Sequence, residues 1–393
     1  MKNNLLVKLV IGILAGIAIG LVSAAVDMLL LVRLMSTFSS IFGNFLKFII
    51  PCIIIGFVAP GIAELGKDAG KMLGLTAVIA YSSAVGAGIM AFLIGKLILP
   101  IVIKSGAIEA GNSLNVSPFF SIEMGTIMGV MTALVLAFVL GIGMSHLNNN
   151  KLYQVMKDFQ HIIEGVVKKV LIPFIPLHIA GIFAKIAATG EIFSTIAAFS
   201  SVFVLILILQ LSYILVQYAI AWMVSGKHPL KAIRNMLPAY VTALGTQSSA
   251  ATIAVTLTSA RKNDISEDVV DFVIPLGATI HLAGDTITLV LASMAVMLLS
   301  GVTPTFALML PFIFMLGITM VAAPGIPGGG VMAALGLLEN MLGFTAAQQG
   351  LMIALHFAQD SFGTATNVTG DGAIAIIIDT IHKKDLMQSD KAS

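Results

Sequence analysis

His356-Phe-Ala-Gln-Asp360-Ser-Phe-Gly363-Thr364-Ala-Thr-Asn367-Val-Thr-Gly-Asp371 lies inside an apolar segment running from about Leu351 to Ile381. His356, Asp360, Thr364, Asn367 and Asp371 are four, four, three and four residues apart. On a helix those spacings stack on one face. The other faces are Leu, Ile, Ala, Phe and Val. A helix long enough to cross a bilayer thus carries two carboxylates, an imidazole, a hydroxyl and an amide in one stripe. A lone carboxylate at the bilayer centre costs roughly 2.5–3.5 kcal/mol on insertion scales. Two on one face call for compensation, most simply a bound cation or a cationic substrate group. The alternative is that the side chains satisfy one another across a helix bundle. Intramembrane ionisable stripes usually carry function, and that reading is preferred.

The rest of the chain sets this stripe in a membrane. Of 393 residues, 58% are hydrophobic and 10% charged, with a mean hydropathy of +1.04. So little charge does not cover a soluble surface, and the expected class is a polytopic helical membrane protein. A net charge of +2 without a basic cluster gives no reason to expect nucleic acid. The single Cys52 excludes an intrachain disulfide and a CxxC metal site. The 37 Gly and 21 Met suit close helix packing and gap filling. Met1-Lys2-Asn3-Asn4 has the charge pattern of a signal peptide, but no small-residue cleavage site follows, so a retained first helix is expected.

Apolar segments of spanning length run at about 5–25, 38–63, 72–103, 119–146, 153–187, 192–225, 269–300 and 345–381. Between them lie the connectors Glu64 to Lys71, Lys104 to Ser117, Asn148 to Lys151, Lys227 to Arg234 and Arg261 to Asp268. The basic residues, among them Lys8, Lys67, Lys151, Lys227, Arg261 and Lys383, fall on one side if both termini are inside, while Arg33 and Lys104 fall on the other. The positive-inside rule then places both termini in the cytoplasm. His161, Glu164, Lys168 and Lys169 read as an interfacial helical face, and His178 as structural.

Two segments do not fit simple spans. Pro229 to Lys262 is charged at both ends on the same side and small and polar at its middle, Gly245-Thr-Gln-Ser248-Ser249-Ala-Ala-Thr252. Thr303 to about Gly343 is broken by Pro324-Gly-Ile326-Pro327-Gly328-Gly-Gly330. Such breaks free backbone groups and are tolerated at membrane depth where they line a cavity. The alternative is a pair of ordinary kinked spans. A pair of re-entrant hairpins, one from each side, points to a transporter with inverted repeats and a midplane site. Between them, Pro275-Leu-Gly277-Ala-Thr-Ile-His281-Leu-Ala283-Gly284-Asp285 predicts a helix that unwinds and exposes carbonyls, with His281 and Asp285 four apart on one face.

In order along the chain, the serine-rich tip, the Pro-Leu-Gly-Ala-Thr-Ile segment, the Pro-Gly-Gly-Gly tip and Asn367-Val-Thr-Gly-Asp371 resemble the dicarboxylate/amino acid:cation symporter family. The resemblance implies eight transmembrane helices plus two re-entrant helical hairpins, assembled as a homotrimer in the plasma (inner) membrane. It implies first scaffold helices in 1–71, transport-domain helix 3 and its loop in 72–118, and scaffold helices 4 and 5 with transport-domain helix 6 in 119–225. The transport core is then 226–385 and a cytoplasmic tail 386–393. Substrate would be bound by Ser248, Ser249, Ile326, Pro327, Gly328, Asp360, Gly363, Thr364 and Asn367. Asp360 would hold the α-amino group and Asn367 the α-carboxylate. A cation or proton site would draw on Gly277, His281, Asp285, Asn367 and Asp371, with Ser82 and Ser83 from the third helix.

The departures from the family pattern matter as much. Acidic-substrate members carry Arg where this chain has Gly363, and a buried substrate carboxylate without a cationic partner is penalised. A small neutral amino acid is therefore expected, with room for a larger side chain beside Gly363. The family's ion-ligating Asn is His281, its ligating Asp is Ala283, a new Asp285 follows, and His356 takes a usually acidic position. Imidazole is a poor Na⁺ ligand but titrates near physiological pH. The coupling ion is Na⁺ or H⁺, with Na⁺ slightly preferred, and protons would use His281, Asp285 and His356. No other cofactor is expected. The runner-up is a proton-coupled or uncoupled transporter or exchanger, and an ion channel is more distant. An enzyme is not expected, since no HExxH, GxSxG or phosphate loop occurs.

Overall fold

The computed structural model describes residues 5–26, 28–66, 71–103, 116–125, 127–147, 151–190, 192–321, 323 and 327–392. Met1–Asn4, Lys67, Lys104, most of the connector that starts there, residues 148–150 and the hairpin residues Pro324, Gly325 and Ile326 lie outside them. The described residues form helices and no strand. Backbone polar groups facing lipid must be satisfied within their own segment, and a helix does that. Six helical stretches are long and apolar enough to cross a membrane: Val7–Ala25, Leu30–Ala63, Met72–Val102, Lys151–Ala188, Thr195–Ser225 and Glu267–Leu299.

α1 (Leu5–Ala25) lies along α6 (Ile172–Ala188). Gly12, Gly16 and Gly20 make this possible. A Cβ at Gly16 would stand 2.3 Å from the Ala180 carbonyl oxygen, and one at Gly20 would stand 2.3 Å from that of Ala184. Small residues four apart let two backbones meet where lipid offers no hydrophobic drive for association. α2 (Leu30–Gly66) packs on both α6 and α4 (Val130–His146). α5 (Lys151–Val166) runs into α6 through a π-helical turn, Val167–Leu171. The turn precedes Pro173, whose missing N–H cannot pair with the preceding turn, so an irregular turn there has a local cause. Lys168 donates to Glu164 on this exposed face.

The apolar segment 119–146 is helical only from Val130. Pro118, Gly125 and Gly129 oppose a helix earlier. The chain before Val130 is tied to α2 instead: Arg33 Nε donates to the Ser117 carbonyl at 3.1 Å, Asn44 Nδ2 to that of Ile122 at 2.8 Å, and the Phe119 N–H to Thr37 Oγ1 at 2.9 Å.

α3 (Lys71–Val102) and α7 (Ile192–Ser225) flank the second half of the chain. Both irregular segments are helix–turn–helix pairs: α8 (Pro229–Thr246) with α9 (Ser249–Arg261), and α12 (Phe306–Val321) with α13 (Gly329–Leu342). The first reverses at Gln247, φ 54°, and Ser248 caps α9 by accepting the Ala251 N–H. The second re-enters helix at Gly328, φ 72°, a left-handed value that glycine adopts without steric cost. Between the pairs, α10 (Glu267–Ile280) and α11 (Ala283–Leu299) are separated by His281 and Leu282, the expected unwinding. Every residue of α11 is buried. α14 (Ala346–Ala392) threads the centre, against α3, α7, α8, α10, α11 and α13. Near its polar end Asp379, 1% exposed, accepts from Lys383 Nζ at 2.8 Å and from the Ser266 N–H and hydroxyl at 3.0 and 2.7 Å.

Candidate functional site

The polar stripe of α14 lies wholly inside the protein: His356, Asp360, Thr364, Asn367 and Asp371 are each 4% exposed or less. The unwound α10–α11 junction is pressed against it. A Cβ at Gly284 would stand 2.4 Å from the Gly363 carbonyl oxygen, and one at Gly277 would stand 2.7 Å from Asp371 Oδ1. These glycines allow the backbone to approach the stripe where side chains would have held it off.

His281 and Asp285 were expected on one helical face. His281 instead lies in the break after α10 and Asp285 in the first turn of α11, and each finds its own partner on α14. His281 Nδ1 lies 2.9 Å from Asp371 Oδ1, and His356 Nε2 lies 2.8 Å from Asp285 Oδ1. Asp285 Oδ2 accepts from Asn367 Nδ2 at 2.6 Å, and Asn367 Oδ1 accepts the Gly284 N–H at 2.8 Å. Both ends of the Asn367 amide are therefore engaged. Asp285 sits in the first turn of α11, where the helix dipole favours a negative charge.

Around His281 the network is dense. Its Nε2 lies 3.0 Å from Ser83 Oγ and 3.2 Å from Gln217 Nε2, which also donates to Ser83 Oγ at 3.0 Å. Tyr213 donates its hydroxyl to the Ser83 carbonyl at 2.5 Å. A charged ring donates from Nδ1 to Asp371 and from Nε2 to Ser83. A neutral ring keeps Nδ1–H on Asp371 and accepts at Nε2 from Ser83 or Gln217. Both protonation states find partners. Asp371 Oδ2 is buried without a hydrogen bond among the described residues. Ser82 is exposed, pointing away from the network that Ser83 joins.

Asp360 faces the second hairpin. Its Oδ2 accepts the Gly328 N–H at 2.8 Å, beside Pro327 in the described part of the expected tip. Ligand atoms of Asp285, His356 and Asp360 lie within 4.8 Å of one another. The tip fits only as glycine: a Cβ at Gly330 would stand 2.6 Å from Asp285 Oδ1, and one at Gly328 would stand 2.1 Å from Phe357 Cζ. The first hairpin reaches the stripe through Gln247 Nε2, which donates to Ser361 Oγ at 2.9 Å. Ser248 and Ser249 sit beside it at that turn. A Cβ at Gly363 would lie 3.6 Å from the Asp285 backbone N, 3.6 Å from Gln210 Nε2 and 3.7 Å from Asp285 Oδ2. Position 363 thus faces Asp285 rather than open volume. Gln210 is fixed there by bonds to the Gly284 carbonyl at 3.2 Å and Thr288 Oγ1 at 3.0 Å. Tyr213, Gln217, Gln210, Gln247 and Ser361 were absent from the expected site. The three α7 residues are spaced at three or four, a faint signal within an apolar helix.

The family model for the sodium:dicarboxylate symporter family matches residues 5–381. The chain belongs to that family. The family and the apolar helices together support a multi-pass membrane protein. Among curated proteins it is similar to an excitatory amino acid transporter of Caenorhabditis elegans, 26% identical over 277 residues. That match covers 69% of this chain and 54% of the relative, so the chain spans about half the length of the curated protein it matches.

Proposed function

We propose that this chain is a secondary active transporter taking up a small neutral amino acid in symport with a cation. The carrying observation is the contrast among three buried carboxylates. Asp285 and Asp371 each face an imidazole, whereas the one hydrogen bond of Asp360 among the described residues comes from the Gly328 N–H. An ammonium is the charge Asp360 lacks, and an α-amino group supplies it. Thr364, Asn367 and the hairpin residues Ser248, Ser249, Pro327 and Gly328 complete the substrate site. An acidic side chain placed toward Gly363 would meet Asp285 instead of a guanidinium, which supports a neutral substrate.

The geometry shifts the coupling reading toward protons. His281 and His356 stand where a metal cation would compensate Asp371 and Asp285, and Asn367 Oδ1 already accepts the Gly284 N–H. A sodium version keeps one supporting observation, the unpartnered Asp371 Oδ2. In either version the two hairpins are re-entrant, 226–385 is the transport core, both termini are cytoplasmic, and the transporter works as a trimer by an elevator motion. The test is uptake into liposomes, with all amino acids screened under separate Na⁺ and H⁺ gradients. Neutral amino-acid uptake driven by a pH gradient is expected. Uptake that ignores both gradients overturns symport.

A further inference from the structure

A cavity of about 570 Å³ lies away from the stripe, between α2, α6 and the adjoining ends of α11 and α14. One wall is a single face of α6, where His178, Ile182 and Lys185 recur at helical spacing. α2 contributes Ser36 and Ser40, and α14 contributes Gln348 and Leu351. The sequence marked His178 as structural. It is 2% exposed, its ring tilted by 44° against Phe42 at 5.0 Å, yet neither ring nitrogen has a hydrogen-bond partner among the described residues. Every other buried histidine of the described chain has one. A neutral imidazole carries one donor and one acceptor, so a ring built against the cavity with both unmet is half of a binding contact.

The lining sets the ligand's charge. Lys185 is the one formally charged side chain among the described residues of the wall, and no carboxylate lines it. Lys185 is seven residues, about 10 Å along the helix, beyond His178. Both residues line the same wall of the cavity. Ile182, Ile186 and Leu351 supply aliphatic surface among the further hydroxyls of Thr189, Ser300 and Thr345.

We infer that this cavity is a binding site for an anionic amphiphile. Its carboxylate or phosphate head is held by Lys185, the His178 ring and the α2 hydroxyls, and the start of its apolar chain lies on Ile182 and Leu351. The volume suits a head and part of a chain. The occupant touches α2 and α6 on one side and the helix that carries Asp360 on the other.

The test uses the full chain in nanodiscs of zwitterionic lipid, with a diazirine-bearing dodecanoate as photoaffinity probe. Saturable labelling is expected on residues 36–40, 178–189 and 345–351. Unlabelled dodecanoate should compete, and dodecanol and dodecyltrimethylammonium should not. Lys185→Gln, at an exposed position that is safe for folding, should weaken labelling about tenfold, the scale of a lost charged hydrogen bond. His178→Phe, checked for intact assembly by size exclusion, should weaken it also. Competition by dodecyl phosphate as well assigns the natural occupant to a phospholipid head, and competition by dodecanoate alone assigns it to a free acid. Labelling that does not saturate, that dodecanol displaces equally, or that Lys185→Gln leaves unchanged overturns the site.

Discussion

His281 Nδ1 stands 2.9 Å from Asp371 Oδ1, with both residues 1% exposed. A histidine from the α10–α11 break thus lies against a carboxylate of α14 inside the protein. If the proton is that ion, His281→Gln keeps a donor toward Asp371 but removes the titrating group. Uptake driven by a pH gradient should fall to the level of exchange. Counterflow of preloaded substrate should persist. Liposome uptake with and without the gradient measures both, and an undiminished response to pH would remove His281 from coupling.

Asp371→Asn separates the sodium version from the proton version. It removes the negative charge that Asp371 spreads over Oδ1, against His281, and the unpaired Oδ2. Under proton coupling, the imidazole loses its carboxylate partner and the response of uptake to a pH gradient weakens. Under sodium coupling, the dependence of substrate binding on Na⁺ weakens instead. Titrating uptake against each ion in the same preparation distinguishes the outcomes.

Asp360→Ala should abolish amino-acid binding in a protein that still inserts and runs as a single species. Removing one partner of a buried charge pair costs ~3–5 kcal/mol, which puts affinity beyond the reach of calorimetry. Binding within a few-fold of the parent would exclude Asp360 as the ammonium site.

Gly363→Arg should not convert the substrate range to acids. The new side chain starts 3.7 Å from Asp285 Oδ2, so its guanidinium pairs with Asp285 and displaces His356. Neutral uptake should fall at least tenfold, with little glutamate or aspartate uptake gained. Competition assays with both substrate classes check this. Robust aspartate transport would show that position 363 opens onto the substrate after all.

Gly328→Ala combines a positive φ with a Cβ 2.1 Å from the Phe357 ring. It should displace the tip from Asp360, lower substrate affinity and lower Tm, by more than the roughly 1 kcal/mol of an ordinary glycine replacement. Equal affinity and Tm would mean the tip does not rest on the α14 stripe.

The helical spacing of the stripe was readable because period and chemistry coincide: five polar side chains on one face of an apolar helix have few physical explanations. The breaks at His281 and at the Pro-Gly-Gly-Gly tip were readable because glycine and proline act locally. What the sequence hid depends on contacts between distant segments. Sharing a face is a property of an unbroken helix, so His281 and Asp285 lost that relationship at the break that had itself been expected. Gln210 and Gln217 look like isolated polar residues until α11 and α14 are packed against α7. Ser82 and Ser83 are neighbours, and nothing short of the packing decides which of the two turns inward. The length of α4 was misjudged because apolar composition alone does not separate helix from the extended chain that α2 holds in place.

The contact of Gly284 with Gly363 bears on how a load is moved. With no side chains between them, two backbones meet too closely for one to slip along the other. α11 and α14 are therefore packed as one unit, with Asp285 and Asn367 bonded across it. If the chain moves substrate as proposed, opening and closing would fall to the two hairpin turns, which also supply Ser248, Ser249, Pro327 and Gly328 to the proposed site.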